Sequence, residues 1–412
     1  AELPPDEHVY IEQPRGFERD KKNFVLKLRR SQYGLKQAPR YFYKHLSERI
    51  LLCGCQASAL DPCLFFSPDL LCITYVDDIL LYGTSQEAVD SFRSRMAKEG
   101  VVLNVEGTAE GYLGCDVSRD TNKTTLSQPS LAKRVVEALG LCSKYTGAVS
   151  TPAEKAALPR RPDDPDYDGP ISYSSVVGML LYLYLGHTRP DIAFAVHQCA
   201  RYTFAPKDVH VVALKRIGKY LKGTLDGGLV LDPRDDLDID CYPDADFAGL
   251  WGHEDQQDPH CVRSRTGYVI TLAGCPVLWS SKLQTEIALS TMESEYVALS
   301  TACKDLFPII DLVKELGGKA GIGKSDVANI HVRVHEDNVG ALTLGLLEPR
   351  RMTLRSKHYA LKYHWFRSQL QPHGPRRVTL QKIESSDQLG DIFTKGLGRE
   401  PFEKLRKRIM GW

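Results

Sequence analysis

In the stretch LCITYVDDILLYG, the adjacent acids Asp77 and Asp78 separate two apolar, β-prone runs. The pattern predicts a hairpin with both carboxylates at its tip. Carboxylates in a pair suit a hard divalent cation, but neighbouring side chains on a regular strand point to opposite faces. Both acids can meet one ion only if the turn rotates one of them, which makes Asp77 the better ligand. A solvated turn, where Asp is common, is the competing reading.

Four further acids sit at the ends of predicted elements. Asp244 closes the alternating stretch DLDIDCYPDAD, where Pro243 should interrupt strand pairing and leave a carboxylate at the strand terminus. Asp246 is its competitor. Glu293 opens a long amphipathic helix, and the spacing from Ser290 is that of a capping box, so Glu293 could simply satisfy the helix start. Glu295 is its neighbour. Asp337 follows IHVRV, whose Ile330, Val332 and Val334 form one buried face, and acids at the carboxyl ends of strands are well placed for a crevice. Capping of the next helix by Asp337 or Asn338 competes with that role. In SSDQLGDIFTK, Asp387 and Asp391 are four apart and share a helix face, so spacing does not choose between them.

The elements that must position these acids are read from a chain of 412 residues, long enough for two to four domains. Apolar residues at 42% and charged residues at 25% are ordinary for a globular protein and exclude a fibrous or disordered class. The acidic opening AELPPDEH is unlike a signal peptide, and the longest apolar stretch, VVGMLLYLYLG, is too short to span a bilayer. A cytoplasmic or nuclear protein without a membrane partner is expected. The 11 cysteines lack the spacing of a disulfide framework, and the trio Cys53, Cys55 and Cys63 is a poor zinc site without a CxxC pair or a nearby His.

Proline and Asp in TPAEKAALPRRPDDPDYDGP at 151–170 remove helix and strand potential and predict a linker or long loop. Helical apolar spacing fills 171–224. From 236 the pattern turns to strands, with a hairpin around Ala273 and Gly274, a helix from about Thr291 to Leu316, and then alternating strands and helices. Residues 21–44 hold eight basic groups, no acid and five interleaved aromatics, a composition that suits a nucleic-acid groove. Residues 350–367 hold six Lys or Arg and no acid, with Tyr359, Tyr363, Trp365 and Phe366 among them. Solvated basic faces are the competing reading for both.

The ordered motifs VYIEQPRGF, SQYGLKQAPR, YVDD and YLGCDV resemble the reverse transcriptase of copia-type LTR retrotransposons. Downstream, SYSSVVGMLLYL, HTRPDIAFAV and YLKGT resemble the family's connecting region, and DADFAG, SRTGYVI, WSSK, STMESEY, EDNVGAL and DQLGDIFTK its terminal ribonuclease H. The resemblance implies an α+β chain: a partial reverse transcriptase palm and fingers at 1–145, a helical thumb or connection at 146–232, a ribonuclease H-like α/β domain at 233–397, and a short basic tail at 398–412. It implies an RNA-directed DNA polymerase and a nuclease cleaving RNA in RNA/DNA hybrids, acting on template-primer and dNTP. Magnesium, with manganese as the alternative, would be held by Asp77, Asp78, Asp244, Glu293, Asp337 and Asp391. Lys36, Gln37, Arg40, Arg355, Lys357, His358 and Lys362 would contact nucleic acid, in a virus-like particle or the nucleus.

The family's first polymerase Asp lies just before the segment resembling AELPPDEHVY. The chain is therefore expected to be N-terminally truncated, without polymerase activity, and active only as a ribonuclease H. Departures from the family pattern, such as Gly390 for Ala and TKGL for TKPL, support the alternative of an inactive or domesticated nucleic-acid-binding remnant.

Overall fold

The computed structural model describes residues 2–17, 24–105, 111–120, 123–185, 188–253, 261–319, 330–348, 351, 361–370 and 374–412. Contacts divide the chain into two units, Ala1–Gly107 with Leu312–Lys324, and Thr108–Asp311 with Ser325–Trp412. Residues 108–145, expected with the polymerase part, thus share their contacts with the second unit.

The first unit opens with the short strands β1 (Tyr10–Ile11) and β2 (Leu26–Lys27), followed by helix α1 (Ala38–Leu52), whose second residue, Pro39, lacks an N–H where the first turn has no partner to offer. Strands β3 (Gln56–Ala57), β4 (Leu64–Ser67), β5 (Leu70–Tyr75) and β6 (Asp78–Gly83) pair in that order as an antiparallel sheet. Helix α2 (Gln86–Lys98) follows, its first turn capped by Ser85. Leu46, Ile50, Phe65, Phe92 and Met96 form the core with Cys53 and Cys55, which act as small apolar residues. Burial pushes the Cys55 thiol up to about 11. The hairpin expected at YVDD is present: Tyr75 faces Asp78, and Val76 takes a left-handed φ of 53° in the two-residue turn.

The second unit begins with strands β7 (Asp116–Asp120) and β8 (Lys123–Ser127), which pair with each other, and helices α3 (Pro129–Ala138) and α4 (Tyr173–Leu185). On α4, Val176, Val177, Leu180, Leu183 and Tyr184 recur at helical spacing and are buried. Between α3 and α4, residues 151–170 contain no helix or strand, as their prolines predict. This segment is nevertheless held in place, because Tyr202 donates to the Leu158 carbonyl and Lys207 pairs with Asp166.

Helices α5 (Ala193–Ala200) and α6 (Asp208–Lys222) complete the helical layer. Beside it lies a buried ion pair: Arg189 donates two 2.9 Å bonds to Asp191, whose second oxygen also accepts from Tyr220 at 2.6 Å. Strand β9 (Leu229–Leu231) adds to β8.

The larger sheet is built from β10 (Ile239–Asp246), β11 (Arg265–Leu272) and β12 (Cys275–Leu283), then, after helix α7 (Thr291–Lys319), from β13 (Val332–Glu336), helix α8 (Val339–Leu346) and β14 (Val378–Lys382). Its order is β12-β11-β10-β13-β14. The pairs among β10, β11 and β12 are antiparallel, whereas β13 runs parallel to both β10 and β14. The expected turn joins β11 to β12, with Ala273 and Gly274 both at positive φ.

The short helix α9 (Asp391–Thr394) lies on β11, where Gly267 permits the approach: a Cβ there would meet Thr394 Cγ2 at 2.6 Å. The stretch expected as a basic tail forms helix α10 (Arg399–Met410), with Phe402, Leu405, Ile409 and Met410 buried. No helix among the described residues is long and apolar enough to cross a membrane.

Candidate active site

Strand β10 pairs with β13 only from Ile239 to Cys241, and beyond that point the two parallel strands part. Pro243 lacks the N–H a continuing ladder would need. The gap is bridged by the fully buried Gln388, whose amide donates to the Pro243 carbonyl at 2.9 Å and to the His335 carbonyl at 3.1 Å. A crevice therefore opens at the carboxyl ends of β10 and β13, the place where an α/β sheet commonly holds a ligand.

Three acids meet there. Asp244 on β10, Glu295 on α7 and Asp337 just past β13 offer carboxylate oxygens that all lie within 4.8 Å of one another. Asp391, at the start of α9, joins them through Lys395, whose ammonium lies 2.8 Å from Asp391 and 3.8 Å from Asp244. Thr394 Oγ1 donates to Asp244 Oδ2, and Ser385 Oγ donates to Asp337 at 2.7 Å. Gly390, where the family pattern has Ala, packs against Asp244: a Cβ at this position would meet the Asp244 Cβ at 2.6 Å. This residue type lets the α9 turn close on the acids.

Burial and mutual repulsion dominate the electrostatics. Burial pushes Asp244 up to about 7, against the pull of Lys395 and with the push of Asp391. Burial raises Glu295 to about 11, with Asp244 adding to the effect. Glu336, fully buried, is driven well up by burial too, and Asp391 is raised for the same leading reason. Burial alone would lower Lys395, but Asp244 and Asp391 outweigh it and hold its ammonium above the ordinary value. Glu295 Oε2 and Glu336 Oε2 are buried without a hydrogen-bond partner among the described residues. Hard oxygen donors that are crowded, desolvated and unpartnered fit a divalent cation, whose charge would reverse each of these upward shifts.

Glu293 is not in this group. Its backbone N–H donates to Ser290 Oγ at 3.2 Å and its carboxylate accepts from the Leu289 N–H at 2.8 Å, so it serves the helix start. Two residues further on, about 200° around the helix, Glu295 faces the crevice instead. Asp387 also points elsewhere, pairing with Lys404 at 3.0 Å and Arg408 at 3.1 Å on α10, with Lys404 holding its carboxyl below the ordinary range. Asp246 lies beside the crevice, its carboxyl raised by burial. Gln388 and Lys395 were not foreseen as site residues; only the QLGDIFTK motif pointed to their neighbourhood.

In the first unit Asp77 and Asp78 are exposed at the hairpin turn, and Tyr33 donates to Asp77. Burial is absent there, and among the described residues no third acid gathers with them. Lys36 and Arg40 are exposed. Gln37 and Tyr41 both donate to Glu7, so the Gln37 amide is engaged with the N-terminal segment. Lys362 pairs with Glu286, and Arg355, Lys357 and His358 lie outside the described residues.

Residues 3–155 match the family described as Reverse transcriptase (RNA-dependent DNA polymerase). The chain is similar to the Retrovirus-related Pol polyprotein from transposon RE1 of Arabidopsis thaliana, 33% identical over 97% of the chain and 26% of that protein. It is 31% identical to the corresponding protein from transposon TNT 1-94 of Nicotiana tabacum, over 98% of the chain and 30% of the relative. With the polyprotein from transposon RE2 of Arabidopsis thaliana it shares 34% identity over 98% of the chain and 26% of that protein. The chain thus spans 26–30% of the length of these relatives. No solved structure matches it.

Proposed function

The chain belongs to the Pol polyproteins of copia-type retrotransposons, and from that premise we propose that its acid crevice is a ribonuclease H centre cutting the RNA strand of RNA/DNA hybrids. The observation that carries this reading is the meeting of Asp244, Glu295 and Asp337 within 4.8 Å at the ends of two parting strands. The sheet of β10 to β14 would be a ribonuclease H-like domain over about 233–397, and the helical layer before it the connection.

Asp244, Glu295, Asp337 and Asp391 would hold magnesium, or manganese in its place. Bound as a pair, such ions supply an activated water and charge for the leaving 3′-oxygen. The chain's own residues do the rest. Thr394 fixes one oxygen of Asp244 and so sets the orientation of its carboxylate in the crevice. Gln388 keeps the crevice from closing by occupying the backbone groups that strand pairing would otherwise use. Lys395 holds Asp391 against repulsion from its neighbours.

The test is a hybrid labelled separately on each strand and incubated with magnesium. Cutting confined to the RNA strand supports the reading; cutting of both strands or of neither rejects it.

For the first unit, a second reading is template-primer binding without nucleotide addition, favoured by exposed Lys36 and Arg40 and by Asp77 and Asp78 gathering no third acid among the described residues. Lys36 and Arg40 would contact the phosphates of that template-primer.

A further inference from the structure

A cavity of about 170 Å³ opens beside the acid crevice, bounded by Lys155, Gln198, Asp246, Arg263, Arg265 and Lys395 among other residues. Four of these are cations and one is a carboxylate; Lys395 is taken up by Asp391, which leaves Lys155, Arg263 and Arg265 facing Asp246 alone. Arg265, the first residue of β11, is the unusual member. It is 3% exposed, its guanidinium lies 5.3 Å from the Phe194 ring centre, and its only hydrogen bond among the described residues is from Nη1 to Ser281 Oγ at 3.2 Å. A guanidinium has five N–H donors, and none of these meets a carboxylate within ion-pair distance among the described residues. A buried cation left in that state is costly unless an anion completes it. Asp246 is the only acid on the cavity wall among the described residues, set against several cations.

We propose that this cavity is a binding site for one backbone phosphate of the nucleic acid, held by Arg265, Arg263 and Lys155. The inference rests on the nuclease reading for the identity of the strand, and its continuity with the acids supplies the choice of ligand. Lys395 borders the cavity and also lies 3.8 Å from Asp244. Asp246 and Asp244 are alternate residues of one strand, about 7 Å apart. The cavity thus borders the acids on which the scissile phosphate would sit, within reach of a neighbouring phosphate of the same strand. The site therefore grips the strand next to the cut and sets its register.

The test uses the full chain and the double variant Lys155→Ala with Arg263→Ala. Lys155 is exposed and Arg263 half-buried, so folding should survive, as thermal melting will verify. Binding of a short RNA/DNA hybrid is followed by anisotropy in EDTA, so that cleavage plays no part. The double variant should bind about tenfold more weakly, with a salt slope lower by about 1. A single neutral methylphosphonate, moved along each strand in turn, should weaken binding to the wild type at one position and leave the variant indifferent there. Equal affinity and slope in the two proteins, or equal sensitivity at every position, would overturn the site. Cleavage by the same preparations separates the two claims. A wild type that cuts, beside a variant that binds undiminished, removes the phosphate site alone. A wild type showing the methylphosphonate signature without cutting removes the nuclease reading and keeps the site.

Discussion

Replacing Asp244 by Asn should stabilise the metal-free protein, an uncommon outcome for a buried polar position. The fold raises this carboxyl from 3.8 to about 7, chiefly by burying it. The protonated form is the one the fold favours, so the stability this group contributes is complete below the unfolded value and is lost as pH rises through about 7. A shift of about three units corresponds to an upper bound of about 4 kcal/mol at alkaline pH. Because neighbouring acids share the protons and the site relaxes, about half of that is a realistic expectation.

Asparagine keeps the shape and can still accept from Thr394, but it carries no charge at any pH. In EDTA at pH 8 the variant should melt about 4–8 °C above the wild type, taking 2–4 °C per kcal/mol for a unit of this size. At pH 5, about 1.2 pH units above the unfolded value, the difference should fall to less than half, and it should close only below about pH 4. Magnesium should raise the melting temperature of the wild type and leave Asp244→Asn nearly unmoved. A gap equal at both pH values, or a variant that melts lower at pH 8, would refute the argument that desolvated, crowded carboxylates set the electrostatics here.

Glu295→Gln should abolish hybrid cleavage by at least about 100-fold, in line with losing a metal ligand's charge. Glu293→Gln should keep cleavage and lose up to about 1 kcal/mol of stability from the weakened helix start, measured by urea unfolding. Arg189→Met leaves Asp191 buried and unpaired, and should destabilise the second unit by about 3–5 kcal/mol in the same assay. Primer extension with dNTP and magnesium should be undetectable with this chain; extension would show that Asp77 and Asp78 find a third acid that the described residues do not provide.

Local sequence rules reached the turns and the strand ends. The flanking β-prone runs favour hairpins at Val76-Asp77 and at Ala273-Gly274, although of the residues at positive φ only Gly274 suits that conformation, and Val76 and Ala273 take it against their residue type. Alternation pointed to Asp244, which does face the crevice, but Pro243 does not end the strand as expected: β10 stays paired with β11 through Asp246, and only its pairing with β13 stops, at Cys241. At the helix start the sequence was ambiguous for a physical reason. Glu293 and Glu295 differ by only two residues but by more than half a turn, and capping-box spacing fits the one that does not enter the site. Gln388 and Lys395 were out of reach because their roles exist only after β10 and β13 part and α9 packs beneath them. The basic stretch after 398 read as a tail because Lys and Arg dominate it; the four apolar residues on one face of α10 are what bind it to the fold. The 151–170 segment shows the converse: its prolines forbid regular structure, yet side chains from 202 and 207 tie it down.

The most direct test is cleavage of a labelled RNA/DNA hybrid by the wild type in magnesium and in EDTA, beside Asp337→Asn in magnesium. RNA cut only by the wild type and only with metal is the predicted result. Cutting that survives EDTA or the Asp337 substitution, or a folded wild type that binds hybrid and never cuts it, would contradict the assignment of the acid crevice as a nuclease.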